Sequence, residues 1–196
     1  MDDAYQIARF LHVMSFVFMA IPLFNLIIVN ERAALGVAFD YQTDRYMENI
    51  IRHGAARCFV FQATALVTGL LLLVFGGMGI GALWTNWVLL AKLILLLVLS
   101  TLLSYVHFKL QPTIDAILAE VGPDSPVPTD FVSRLKPYRV RRKRLATFCL
   151  FLVITIILLG LQVFGPFPAL LTVVLIALAG LFAWKVNKTL IRFGWV

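Results

Sequence analysis

The sequence predicts an all-α fold: a polytopic transmembrane bundle of five transmembrane helices that forms a single membrane domain over residues 1–196. Three observations lead to this prediction. The chain is 61% hydrophobic and only 14% charged, whereas soluble domains usually carry about 25% charged residues. Five apolar runs approach the length of about 20 residues that a membrane-spanning helix needs. Lys and Arg are concentrated in the segments between alternate runs.

The five predicted helices cover residues 7–29, 58–75, 87–108, 145–164 and 167–184, and each run is too long for a buried strand. A glycine-rich segment, residues 76–81, followed by Trp84 and Trp87, separates the second and third. A Gly-Pro-Phe-Pro turn at 165–168 separates the fourth and fifth. Because glycine interrupts helices and tryptophan prefers the lipid headgroup level, both pairs are expected to form helical hairpins.

The distribution of basic residues predicts an N-out/C-in orientation. Loops 30–57 and 109–144 are rich in Lys and Arg, the tail adds Lys185, Lys188 and Arg192, and the two glycine turns contain neither residue type. Since cytoplasmic loops carry an excess of positive charge, both loops and the tail are expected in the cytoplasm. The chain begins with acidic residues, so a cleaved signal peptide is not expected. The predicted location is a bacterial inner (cytoplasmic) membrane.

Loop 109–144 divides into three parts with different expectations. Residues 112–121 place apolar side chains at helical spacing, which predicts a short amphipathic helix, and the proline-rich residues 122–129 predict a bend. The basic run 134–144 is interpreted as a topology anchor that attracts anionic lipid. The net charge of +7 does not indicate nucleic acid, because the basic residues flank apolar runs. Cys58 and Cys149 lie in separate apolar runs, so neither a disulfide framework nor a cysteine metal site is expected.

Ionisable groups within the bilayer are costly, so each is a functional candidate. At 1.5 Å per residue, His12 and Lys92 both lie roughly 7–8 Å from the outer ends of their helices. His53 and His107 lie near the inner ends of the second and third helices. The four residues therefore define an outer His12/Lys92 level and an inner His53/His107 level. On the third helix Lys92 and His107 share one polar side with two serines, which is expected to face the bundle interior.

These histidines suggest a haem b site, since membrane haem is commonly held by one or two axial histidines on facing helices. His12, His53 and His107 are the candidate cofactor-binding residues, and Lys92 is a candidate partner for a haem propionate or a substrate carboxylate. Structural interpretations compete with each assignment. A histidine at a helix end is often only an interfacial polar residue. Lys92 is equally consistent with a side chain that extends to the outer headgroups.

Short motifs resemble those of the HemJ/CopD-like membrane proteins. The first helix carries Phe10-Leu11-His12-Val13-Met14-Ser15, the second carries Thr68-Gly69, and the third opens with Ala91-Lys92-Leu93. In this order, over residues 7–108, the chain resembles the HemJ type of protoporphyrinogen oxidase. That resemblance implies that His12 and Lys92 form the catalytic pair, with haem b as the cofactor and His12 as the ligand of its iron.

Two classes of function remain open at this point. The first is a haem b-binding redox protein of the kind that the resemblance implies. The second is a non-catalytic accessory subunit of a larger membrane respiratory or photosynthetic complex. The fifth helix is almost entirely apolar, so the fourth and fifth helices are expected to lie at the periphery and to contact a membrane-protein partner.

Overall fold

The computed structural model describes residues 2–32, 38–124, 126–163 and 165–189. Over these residues the chain is helical, with no strand. Its elements in chain order are α1 (Asp2–Glu31), α2 (Tyr41–Arg52), α3 (Gly54–Phe75), α4 (Ala82–Thr85), α5 (Trp87–Tyr105), a π-helical segment (Val106–Leu110), α6 (Gln111–Ala119), α7 (Phe131–Gln162) and α8 (Ala169–Thr189).

Five helical stretches in the described part of the chain are long and apolar enough to cross a membrane, which confirms the predicted fold class. They are Asp3–Glu31, Tyr41–Phe75, Trp87–Ala119, Phe131–Gln162 and Ala169–Lys188. The turn that follows α3 is also confirmed, since Gly77 and Gly79 have φ angles of 74° and 71° that only glycine adopts readily. Helix α5 begins at Trp87 because Asn86 Oδ1 accepts hydrogen bonds from the backbone amides of Val88 at 2.9 Å and Leu89 at 3.4 Å.

Predicted loop 30–57 contains a helix that the apolar pattern did not reveal. Helix α2 is strongly amphipathic and begins after Asp40, whose carboxylate accepts a hydrogen bond of 2.8 Å from the Thr43 amide. The next helix starts at Gly54 rather than at residue 58. Residues 33–37 of this loop, like the predicted end of the fourth helix at Phe164 and the tail residue Arg192, lie outside the described residues.

Predicted loop 109–144 is helical at both ends. The amphipathic helix expected at 112–121 is present as α6, with Ile114, Ile117 and Leu118 buried. The fourth long helix, however, begins at Phe131 instead of residue 145, so the basic run lies on a helix and not in a loop. The prediction was wrong there because it assumed that so many charges would stay in water, whereas three of them are buried in ion pairs.

Helix α7 lies at the centre of the bundle, contrary to the expectation of a peripheral fourth helix. Half of the most apolar 18-residue segment of α7 is buried, whereas only 17% of the corresponding segment of α8 is buried. It packs against α1, α5, α6 and α8, whereas α8 packs mainly on α7. Helix α8 is therefore peripheral, as expected, and α7 is not.

Helices α1 and α3 pack antiparallel along their lengths. Glycines of α3 mark the register, because an added Cβ at Gly76, Gly69 or Gly54 would meet Tyr5, His12 or Pro22 respectively. The start of α1 thus lies beside the 76–86 turn, and this end of the bundle is called the turn end. The opposite end, where α2, α6 and the first turns of α7 meet, is called the ionic end.

Candidate functional site

His12 is held in one orientation by α3. Its Nδ1 lies 3.1 Å from Thr68 Oγ1, and that oxygen lies 2.6 Å from the Thr64 carbonyl oxygen. Two oxygens so close repel unless a proton lies between them, so the Thr68 hydroxyl donates to the carbonyl and accepts from His12 Nδ1. The imidazole therefore carries its proton on Nδ1, and the lone pair of Nε2 is left for a ligand or a proton.

Gly69 allows the His12 ring to lie directly against the backbone of α3. A Cβ placed on Gly69 would be 3.2 Å from His12 Cε1, which is tighter than an ordinary carbon contact. On the other side, the ring meets the edge of Phe16, with 5.3 Å between the ring centroids. A side chain at position 69 would therefore require the imidazole to move by at least a few tenths of an ångström.

Lys92 lies in the same half of the bundle but against a different helix. A Cβ placed on Gly160, in the last turn of α7, would lie 3.4 Å from Lys92 Nζ. The Lys92 side chain is half-buried. His12 on α1 and Lys92 on α5 thus both lie near the turn end, each beside a glycine of a neighbouring helix.

His53 and His107 lie near the ionic end. His53 is exposed at the junction of α2 and α3, and His107 is half-buried in the π-helical segment, with its ring 6.0 Å from that of Phe59. Along α3, His53 precedes Gly69 by 16 residues, or about 24 Å. The level of Phe59 is about 15 Å from Gly69 by the same rise. Two axial ligands must face each other across one iron atom, so neither His53 nor His107 lies where it could share an iron with His12.

One polar contact in the middle of the bundle connects α3 to α5. Ser100 Oγ donates a 2.7 Å hydrogen bond to Oε1 of Gln62, which is buried. The face of α3 that includes Gln62, Ala65 and Thr68 is buried, and its small side chains permit close helix packing. This contact fixes α3, which carries the partners of His12, against α5, which carries Lys92.

The ionic end contains a set of buried charges that the sequence did not reveal. This ionic cluster comprises three carboxylates, Glu31, Asp44 and Glu48, and three cations of α7, Arg139, Arg142 and Lys143. All six residues are at most 5% exposed. Three negative and three positive charges balance, which is what burial requires, since an unpaired buried charge is very costly.

Arg142 is the most completely bonded member of the ionic cluster and is 0% exposed. Its Nη1 and Nη2 donate to the two oxygens of Glu48 at 2.9 Å and 2.7 Å. Its Nε donates to Asn30 Oδ1 at 2.8 Å, and Nη1 also donates to Gln111 Oε1 at 2.7 Å. One guanidinium thereby joins α1, α2 and α6 to α7 in the fork geometry that makes such pairs strong.

The other two cations complete the ionic cluster. Arg139 Nη1 lies 2.5 Å from Asp44 Oδ1, and Arg139 Nη2 lies 3.2 Å from Glu48 Oε1, a contact that lacks hydrogen-bond alignment. Lys143 Nζ lies 3.7 Å from Glu31 Oε2. Arg32, which is more exposed, also reaches Asp44 at 3.3 Å. The sequence contained one usable signal for these contacts. Asp44 and Glu48 are four residues apart, and Arg142 and Lys143 follow Arg139 by three and four residues, so each set occupies one face of its helix.

The basic run 134–144 is therefore only partly available to lipid. Arg139, Arg142 and Lys143 are buried, and Arg134 forms an exposed double hydrogen bond with Glu120 at 2.7 Å and 2.8 Å. That bond lowers the pKa of Glu120 below its usual value, because the arginine stabilises the ionised form. The expected anionic-lipid surface is thus reduced to the exposed cations of the run.

The donor chemistry of His12 fits an axial ligand, since a metal-binding histidine is normally fixed through its other ring nitrogen. It equally fits a proton acceptor, because the lone pair of Nε2 is not used by the bond to Thr68. Across the described residues, no three His, Cys, Asp or Glu side chains converge on one point as in a metal site. In comparisons with known proteins, no family model, curated protein or solved structure matches the chain.

Proposed function

We infer that this protein is a haem b-binding redox protein of the bacterial inner membrane, oriented with its N-terminus outside and its C-terminus in the cytoplasm. The supporting observation is the state of His12, with Nδ1 bonded to Thr68 and Nε2 unengaged by that bond. A buried or half-buried imidazole prepared in this way is suited to bind an iron through Nε2. Haem iron, when bound, supplies one-electron redox chemistry.

The residues around His12 have distinct roles in this proposal. Thr68 holds the imidazole in the tautomer with a free Nε2, and Gly69 provides the space for the ring. Lys92 offers a positive charge in the same half of the bundle, where it would pair with a propionate of the haem or a carboxylate of the substrate. The resemblance to HemJ-type proteins suggests a porphyrinogen as the substrate class, which also carries carboxylates. His53 and His107 take no part in this site because of their distance along α3.

The test is a reduced-minus-oxidised visible spectrum of the protein purified from membranes, with the haem content per chain measured on the same sample. We expect a haem b signal in the wild type and its loss in His12→Ala, because the axial ligand is removed. Lys92→Met should weaken haem retention less, since it removes a charge and keeps the volume. His107→Ala is the matched histidine control and should leave the signal unchanged.

Two variants separate positioning from ligation. Gly69→Leu should displace the His12 ring and lower the haem content, whereas Gly81→Leu adds the same side chain where no atom lies within 4 Å. Gel filtration and circular dichroism establish that each variant is folded. If His107→Ala removed the signal and His12→Ala did not, the ligand would belong to the ionic end and the proposed site would be wrong.

The second candidate is a non-catalytic subunit of a larger membrane complex. It is favoured by α8, whose outward face is apolar and which packs mainly on α7. A wild-type protein that contains no haem, and that leaves a larger complex when residues 166–196 are removed, would replace the redox proposal. Haem in the purified wild type would oppose this candidate.

A further inference from the structure

A groove with a volume of about 250 Å³ lies between α7 and α8 near the ionic end. Arg144, Phe148 and Phe151 form its α7 wall. Gly180, Trp184 and Asn187 belong to its α8 wall. None of its lining residues belongs to the His12 site or to the ionic cluster, so the groove is a separate feature of the molecule.

The groove is polar at one end and apolar at the other. Arg144 and Asn187 lie at the end nearer the ionic cluster, and the Thr147 hydroxyl lies 3.3 Å from Asn187 Oδ1 across the groove. Phe148, Phe151 and Gly180 follow towards the middle of the bundle. From Arg144 to Phe151 the groove extends seven residues along α7, or about 10 Å.

Arg144 provides a cation that no carboxylate of the described residues neutralises. It is exposed, and it has no carboxylate partner among the residues that the structure describes. Its neighbours differ, since Arg142 and Lys143 are buried in the ionic cluster and Arg141 lies over the Tyr105 ring at 5.1 Å. On α8, Lys188 lies 4.1 Å above the exposed ring of Trp184, a residue type typical of the headgroup level.

We propose that the groove binds one anionic phospholipid, with Arg144 and Asn187 on its phosphate and one acyl chain against Gly180 between Phe148, Phe151 and Trp184. Charge complementarity supports this occupant, because a free guanidinium at the headgroup level attracts phosphate. The apolar half of the groove supports this occupant as well. It runs from Arg144 along α7 towards the middle of the bundle, where the acyl chain of a lipid with its phosphate at Arg144 would lie. Basic pockets between transmembrane helices are recognised sites for anionic headgroups. A polar partner helix would leave this apolar half unmatched.

Fluorescence of Trp184 tests the proposal directly. Trp84, Trp87 and Trp195 are replaced by Phe, and the full chain is reconstituted in phosphatidylcholine vesicles that contain brominated phosphatidylglycerol or brominated phosphatidylcholine. We expect brominated phosphatidylglycerol to quench Trp184 at a lower mole fraction. Arg144→Gln should reduce that preference about fivefold, the effect of one basic residue near an anionic surface. Arg144→Lys, which restores the charge, should regain most of it.

Two matched controls distinguish a site from general surface charge. Arg141→Gln removes the same charge from the same helix outside the groove and should keep the preference. Gly180→Leu fills the groove and should abolish the preference, whereas Ala177→Leu places the same side chain about one turn away and should keep it. Equal quenching by the two lipids, or an equal loss in Arg141→Gln and Arg144→Gln, would overturn the proposal. Removal of the preference by inorganic phosphate would also overturn it, by showing an anion site that does not need the acyl chain.

Discussion

Substitution of Arg142 by Met should be among the most destabilising changes in this protein. The side chain is fully buried and donates four hydrogen bonds, two of them to Glu48. Methionine preserves much of the volume but none of the donors. Glu48 would then keep only the poorly aligned contact with Arg139 at 3.2 Å, and the acceptors of Asn30 and Gln111 would lose this donor.

The expected cost follows from these contacts. Breaking a buried ion pair by removing one partner costs about 3–5 kcal/mol, because the remaining charge is uncompensated. Arg139 still faces Glu48, so we expect the lower end, about 3 kcal/mol. For a chain of this size that corresponds to a fall in the thermal midpoint of roughly 6–12 °C. The double variant Arg142→Met/Glu48→Gln should recover at least about 1 kcal/mol, since it no longer buries the unpaired carboxylate.

Thermal unfolding in a mild detergent, followed by size-exclusion chromatography of the heated samples, measures these shifts. Arg141→Met is the matched control, because Arg141 is exposed and its guanidinium lies over the Tyr105 ring instead of in the ionic cluster. It should cost about 1 kcal/mol or less. If Arg142→Met and Arg141→Met shifted the midpoint equally, or if the double variant were no more stable than Arg142→Met alone, the ionic cluster would not hold the helices together.

Three other predictions follow from the structure. In a chain without native cysteines, a cysteine at Thr85 should react with an impermeant maleimide outside the cell and one at Thr129 only after permeabilisation; the reverse pattern would invert the proposed orientation. Thr68→Val should lower haem retention, because the His12 imidazole loses its acceptor and its fixed orientation, and an unchanged content would remove Thr68 from the site. Glu120→Gln should lower the thermal midpoint only slightly at neutral pH, because exposed ion pairs contribute little. Because Arg134 lowers the pKa of Glu120, the small contribution of this ion pair to stability exists at neutral pH and fades on acidification. A large difference in thermal midpoint between the wild type and Glu120→Gln at pH 7 would contradict the small contribution.

The features that the sequence predicts well are those that depend on local chain properties. Span number follows from apolar length, and the start of α5 follows from the change from a glycine segment to an apolar run after Asn86. The short helix α6 was visible in the spacing of Ile114, Ile117 and Leu118. Each of these depends on residues within one or two helical turns of each other.

The ionic cluster could not be derived in this way because its partners are distant in sequence. Arg139 and Asp44 are separated by 95 residues, and Arg142 and Asn30 by 112. When the acidic partners are unknown, a basic run next to an apolar run is best explained as a topology signal. The charges are then assigned to a loop, and the helix is predicted to begin at residue 145 instead of Phe131. His12 was singled out by its depth and by the family resemblance, whereas its bond to Thr68 depends on the packing of α1 against α3.

The ionic cluster also has a consequence for the synthesis of the protein. Asp44 and Glu48 leave the ribosome long before their partners, because Arg142 follows Glu48 by 94 residues. At about 5–20 residues per second, Arg142 is synthesised roughly 5–20 s after Glu48. The two carboxylates have no arginine partner from α7 during that time. Once synthesised, and before the carboxylates neutralise them, these arginines are positive charges next to an apolar run, the pattern that biases loop orientation in membrane proteins. Because all three cations of the ionic cluster lie on α7, the cluster can form only after the fourth long helix has been made.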